Sequence, residues 1–179
     1  MTQVGNVYGE ALYDLAKSEN LTQTLLQELD VLKISFSEEP DFLRLLSAPN
    51  LSKQERCSVL DNSLKGKVHP YVLNFLKILT EKGYTRHFHD CVEAFREHYH
   101  LDNGILSVKA VTAVPLTEEQ SQKLQQKLAA ITGKTILLQN RVDPGILGGV
   151  RLDYDGKQLD DTVSHRLDAI RSLLSGTVL

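Results

Sequence analysis

The sequence predicts a mainly α chain in two parts, an N-terminal six-helix bundle over residues 1-103 and a small α+β domain over 104-179. Three observations carry this. Up to about His100, apolar residues recur with helical spacing, Gly is scarce and Pro stands only at element edges. Asp102-Asn103-Gly104 is a turn signal that interrupts the pattern. Beyond it the apolar period switches between that of strands and that of helices.

The first helix carries Val4, Val7, Tyr8, Ala11, Leu12 and Leu15. Leu21, Leu25, Leu29, Leu32 and Phe36 form one face of a second, with Val31 and Ile34 off that face. Pro40 fits the first turn of a short helix over Phe42 to Leu46. Ser52 with Glu55 is a capping-box pattern that starts a fourth helix after Pro49. Pro70 opens a fifth that Gly83 ends. Phe88, Cys91, Val92, Phe95 and Tyr99 define a sixth.

In the second part, Val108 to Val114 alternates like a strand. Thr117 with Gln120 caps a helix bearing Leu124, Leu128 and Ile131, which Gly133 ends. Ile136 to Val142 reads as a strand. Val150, Leu152 and Tyr154 alternate with polar residues up to the hairpin signal Asp155-Gly156. Asp161 is placed to cap a last helix carrying Val163, Leu167, Ile170 and Leu174 on one side.

Composition narrows the function classes. Of 179 residues, 41% are hydrophobic and 24% charged, ordinary for a globular chain. Aromatic content is 6% with no Trp, which argues against a stacking platform for bases. Net charge is -3 without a basic run, against a nucleic-acid or anionic-lipid footprint. Cys57 and Cys91 lack metal-type spacing and read as reduced thiols. The N-terminus lacks signal-peptide or transit character, and no apolar run reaches the ~20 residues of a membrane span. These features predict a soluble, cytosol-facing chain that a partner would take to any membrane.

Two helices carry more apolar surface than one neighbour can cover. At about 100° per residue, an ordinary bundle stripe is a little over 100° wide. The first helix sweeps roughly 240° and the fifth, with Tyr71, Val72, Leu73, Phe75, Leu76, Ile78 and Leu79, roughly 220°. Either both are buried on two sides by their own chain, or one edge of each forms a groove for a partner's amphipathic helix. Gly5 and Gly9, one turn apart, permit another backbone to come close.

Motifs for chemistry are sparse. Gly133-Lys134-Thr135 resembles the end of a phosphate-binding loop, but Leu128 holds the position where that pattern needs Gly. Gly145, Gly148 and Gly149 fit a turn and a strand-entry bulge better than a dinucleotide fingerprint. His87, Cys91 and His98 share one side of the sixth helix, leaving open a small metal-binding protein with an incomplete ligand set.

From Val142 the chain runs Val-Asp-Pro-Gly-Ile-Leu-Gly-Gly-Val-Arg-Leu, followed by Asp155-Gly156-Lys157, Leu159-Asp160-Asp161-Thr162-Val163 and Arg166-Leu167. This resembles the C-terminal signature of the F-type ATP synthase delta subunit family, which includes the mitochondrial oligomycin-sensitivity-conferring protein. The signature residues matched here are Asp143, Pro144, Gly148, Gly149, Val150, Asp160, Arg166 and Leu167. Tyr8-Gly9-Glu10-Ala11-Leu12 is similar to the family's first-helix segment, with Gly9 where Ala is usual. Asn74 to Gly83 is similar to its fifth helix. Asp161 stands where the family has Gly, and Val7 where it has Arg.

The resemblance implies a non-catalytic stator subunit without cofactor. Its six-helix bundle would receive the N-terminal helix of an alpha subunit between the first and fifth helices, and its C-terminal domain would bind the b subunits of the peripheral stalk. It implies a peripheral place on the cytoplasmic face of the plasma membrane, reached only through the complex, and no nucleic acid. On this reading Tyr8, Ala11, Leu12 and Leu15 with Val72, Phe75, Leu76 and Leu79 line the groove. A generic cytosolic adaptor for an unrelated helix is the other docking reading that the residues leave open.

Overall fold

A computed structural model describes residues 2-48, 50-154 and 156-163. The chain divides into two compact units, one from Met1 to Tyr99 and one starting at His100. The first contains α1 (Gln3–Ser18), α2 (Thr22–Glu38), α3 (Pro40–Leu46), α4 (Lys53–Leu64), α5 (Pro70–Lys82), a 3-10 turn (Thr85–His87) and most of α6 (Phe88–Asp102).

Local chemistry accounts for most helix ends. Ser52 and Glu55 exchange the two hydrogen bonds of a capping box at α4, the Glu55 amide to Ser52 Oγ and the Ser52 amide to Glu55 Oε2. Pro40 and Pro70 occupy first turns, where a missing N–H costs no helical bond. Gly83 ends α5 at φ +75°, and the Tyr84 amide donates back to the Leu79 carbonyl at 2.7 Å. The cap of α1 escaped the sequence reading: Thr2 Oγ1 accepts from the Gly5 amide at 3.2 Å.

The core of the first unit gathers one face of each long helix. Leu25, Leu29, Leu32 and Phe36 of α2 are buried together with Val72, Phe75, Leu76 and Leu79 of α5 and with Phe88, Val92 and Phe95 of α6. Phe36 stacks on Phe42 and meets Phe88 edge-on. Val31 and Ile34 point away from this face and are exposed, as their spacing predicts. An ionic cluster ties α2 to α6, with Lys33 on Glu93 and Arg96 on both Asp30 and Glu93.

The crossing of α1 and α6 is close because both helices present little side chain there. A Cβ built on Gly9 would stand 2.5 Å from the Cys91 carbonyl oxygen and 2.6 Å from Ala94 Cβ. One on Gly5 would collide with Asp90. The backbone that these glycines admit is therefore the chain's own α6.

The second unit is a four-stranded sheet in the order β2-β1-β3-β4, built from β1 (Ile105–Thr112), β2 (Thr135–Val142), β3 (Gly149–Tyr154) and β4 (Lys157–Thr162). Strands β1 and β2 run parallel, joined by α7 (Glu118–Thr132); the other neighbours are antiparallel. Leu106, Val108, Ala110, Ile136 and Leu152 form its core, against which Leu124, Leu128 and Ala129 of α7 pack. Both expected α7 signals are in place, the Thr117/Gln120 capping box and Gly133 at φ +68°.

Three sequence expectations need correction. Strand β1 starts three residues before Val108, because pairing with β2 begins directly after the Gly104 turn, where the Thr135 amide donates to the Gly104 carbonyl. It ends at Thr112, whose hydroxyl donates to the Val114 carbonyl and leaves Val114 exposed. Ile131 is exposed, since the packing of α7 on the sheet ends at Ala129. Asp161 lies inside β4, opposite Val150, and so is a strand residue. The expected helix through Leu167, Ile170 and Leu174 lies outside the described residues, as do Arg166 and Leu167 of the signature.

Candidate docking surface

The eight residues expected to line a groove fall into two groups. On α1, Ala11 is exposed, Leu15 is 39% exposed and Tyr8 is half-buried, while Leu12 is buried. On α5, Val72, Leu76 and Leu79 are at most 1% exposed and Phe75 6%. Those four, with Leu12, belong to the bundle core and cannot touch a partner without opening it. The reason is packing that spacing does not report: α5 is flanked by both α4 and α2, which cover most of its wide apolar sector.

What remains open is different in detail. Val7, Ala11 and Leu15 recur every four residues along α1, and Val7 is 58% exposed. They form an apolar row on the side of α1 turned from Gly5 and Gly9, which face α6. On α5 only an edge is open, carried by Ile78 at 44% exposure with Tyr71 half-buried about two turns earlier. Val7 and Ile78 both lay in the apolar sweeps read from the sequence, yet neither was singled out. Tyr8 meets Tyr84, just beyond α5, edge-on at 5.7 Å, so this aromatic pair links the open α1 face to the end of α5.

The N-terminal end of the row is fixed in place. The Thr2 amide and hydroxyl both donate to Asp90 Oδ2 on α6, at 3.2 and 2.7 Å. The Thr2 hydroxyl bond holds the Asp90 carboxyl below its ordinary value. His87 Nε2 accepts from Arg86 Nε at 3.1 Å, which leaves Nδ1 to carry its proton toward Thr2 Oγ1 at 3.2 Å.

That arrangement disposes of the metal reading. His87 is engaged with Thr2 and Arg86, His98 stacks on the Tyr13 ring at 5.6 Å, and Cys91 is buried at the α1–α6 crossing. Burial pushes the Cys91 thiol up to about 12, the wrong direction for a thiolate ligand. Among the described residues no three His, Cys, Asp or Glu side chains gather where they could hold a metal ion.

The C-terminal signature has a local structural explanation. Asp143 Oδ1 accepts from the Gly145 amide at 3.0 Å and its carbonyl accepts from Ile146, with Pro144 at the turn position whose φ a proline ring presets. Gly149 sits at φ +88°, and a Cβ there would stand 2.5 Å from the Asp161 carbonyl oxygen. The Gly148 carbonyl accepts from the Val163 amide at 3.0 Å. Val150 packs on the sheet core, and Asp160 Oδ1 accepts from the Thr162 amide. The signature thus shapes the turn before β3 and the close pairing of β3 with β4.

The family model described as ATP synthase delta (OSCP) subunit matches residues 4–174. Among relatives, ATP synthase subunit delta of Clostridioides difficile (strain 630) is 32% identical over 98% of this chain and 97% of its own length. ATP synthase subunit delta of Alkaliphilus oremlandii (strain OhILAs) is 33% identical over 96% of each. In the cryo-EM structure of the Toxoplasma gondii mitochondrial ATP synthase hexamer, one chain superposes with a TM-score of 0.74 at 21% identity, covering 97% of this chain and 98% of that one. That likeness establishes the shared fold, and the sequence matches establish the lineage: the chain belongs to the ATP synthase delta (OSCP) subunit family.

Proposed function

We propose that the chain is a mechanical tie, with the bundle over residues 1-103 holding the N-terminal helix of the alpha subunit and the domain over 104-179 holding the b subunits of the peripheral stalk. As a family member it is a non-catalytic stator subunit, a component of the F-type ATP synthase complex. Rotation of the central shaft drags the catalytic head, and a fixed linkage keeps the head from turning with it. On this reading the chain sits peripherally on the cytoplasmic face of the plasma membrane, and the complex keeps it there. No helix among the described residues is long and apolar enough to cross a membrane.

The observation that carries the proposal is the open apolar row Val7, Ala11 and Leu15 on a helix otherwise held against its own bundle. A joint that outlasts many turnovers needs nanomolar affinity, about 12 kcal/mol. Three partly covered aliphatic side chains supply at most about 5 kcal/mol, and the partner's matching face a comparable amount. Association itself costs at least about 4 kcal/mol. The row alone falls short, so the helix must also reach the α5 edge at Ile78.

Ala11→Glu tests this directly. The side chain is exposed in the free chain, so helical circular dichroism stays unchanged. In the docked state the new carboxylate is buried without a partner, and affinity for heads stripped of this subunit falls more than about 100-fold. Unchanged binding would overturn the choice of face.

A further inference from the structure

We infer that the border of the α1 row is an electrostatic selector, built from Glu10 and Asp14, for an amphipathic helix whose facing edge carries Lys or Arg; this rests on the docking reading above. Around the helix axis Asp14 lies about 20° from Val7 and Glu10 about 60°, both on the side away from Tyr8. Tyr8 marks the inner border through its contact with Tyr84, so the two carboxylates line the outer one.

Both side chains are exposed, and among the described residues neither makes an ion pair. They are like charges at i and i+4, an arrangement that weakens a helix, and the cation of α1 nearest to them is Lys17, three residues beyond Asp14. It lies over the Tyr13 ring at 6.0 Å, on the other side of Glu10 from the row. A cationic edge on the incoming helix would relieve this repulsion and set which way round it lies. One turn beyond Ile78 on α5, and about 40° from it around the helix axis, stands the exposed Lys82, of opposite sign, so a helix docked in reverse would bring its cationic edge toward a like charge.

Border charges act mainly on the association rate and its salt dependence. The probe is a synthetic peptide of the first ~25 residues of the alpha subunit from the same synthase, about seven helical turns. It is measured by stopped-flow against the full chain at low and high salt. With the double variant Glu10→Gln and Asp14→Asn, the association rate at low salt falls about fivefold and its salt dependence flattens, with the dissociation rate nearly unchanged. A peptide with its Lys and Arg replaced by Gln shows the same loss on the wild-type chain and no further loss on the variant. If Ala11→Glu abolishes binding but the neutral variant keeps the wild-type rate and salt slope, the selector is refuted while the docking face stands. If Ala11→Glu binds like wild type, the docking reading fails first.

Discussion

Replacing Gly9 by Ala probes how tightly α1 is seated. The added Cβ meets the Cys91 carbonyl oxygen at 2.5 Å and Ala94 Cβ at 2.6 Å, where ordinary contact begins near 3.4 Å. Neither obstacle is a flexible side-chain end, so α1 must withdraw from α6 by about 1 Å. Overpacking of this kind costs about 1–3 kcal/mol, here at the upper end because a backbone carbonyl cannot rotate aside. Helix propensity works the other way by about 1 kcal/mol. The net loss of about 2 kcal/mol lowers the melting temperature of a unit of this size by about 8–16 °C. Thermal unfolding of the full chain followed at 222 nm reads it, since the helices dominate that signal. Ala94→Gly in the same background removes one of the two collisions, so the pair couples favourably in a double-mutant cycle. A Gly9→Ala chain that melts at or above the wild-type temperature would show that propensity alone governs the site and that the close crossing is not real.

Two more outcomes follow from the same geometry. Gly149→Ala combines a left-handed φ of +88° with a collision against the Asp161 carbonyl, so the β3–β4 pairing loses more than about 2 kcal/mol. Hydrogen exchange should quicken in β3 while α2 and α5 keep their protection. Asp90 and Glu93 predict an acid sensitivity. The Thr2 hydroxyl lowers Asp90; burial pushes Glu93 up, but its bonds to Lys33 and Arg96 outweigh this and leave it lowered. Depressed folded values mean that their stabilisation is complete above the unfolded values of about 3.9 and 4.3, and is lost as pH falls through the folded ones. Melting temperature below about pH 4 should therefore fall more steeply for wild type than for Asp90→Asn with Glu93→Gln, and equal slopes would refute the assignment.

Family membership gives the surplus apolar surface of α1 and α5 a mechanical reading, and the part of it left open is narrower than spacing implies. Val72, Phe75, Leu76 and Leu79 of α5 belong to the bundle's own core, and the proposed docking leaves a partner the outer row of α1 and one edge of α5. The seat of α1 therefore matters as much as its exposed face. Thr2, Gly5 and Gly9 hold one side against α6, and this leaves Val7, Ala11 and Leu15 presented on the other. Gly9 lets α1 lie closer to α6 than a Cβ would allow.

The amino-acid sequence by itself determined the helices, their order and most of their ends, because caps, proline positions and apolar period act within a few residues of one another. Ser52 with Glu55, Thr117 with Gln120, Gly83 and Gly133 each act where their spacing placed them. It also marked α1 and α5 as carrying surplus apolar surface. Only the tertiary structure decided which part of that surplus is covered, since burial depends on which neighbours arrive from 60 or 80 residues away. Leu12 and Ala11 are adjacent in the chain and both apolar, yet one faces the core and the other faces solvent. Asp161 shows the same limit in the second unit: its cap chemistry is local, but pairing with Val150 across the sheet makes it a strand residue.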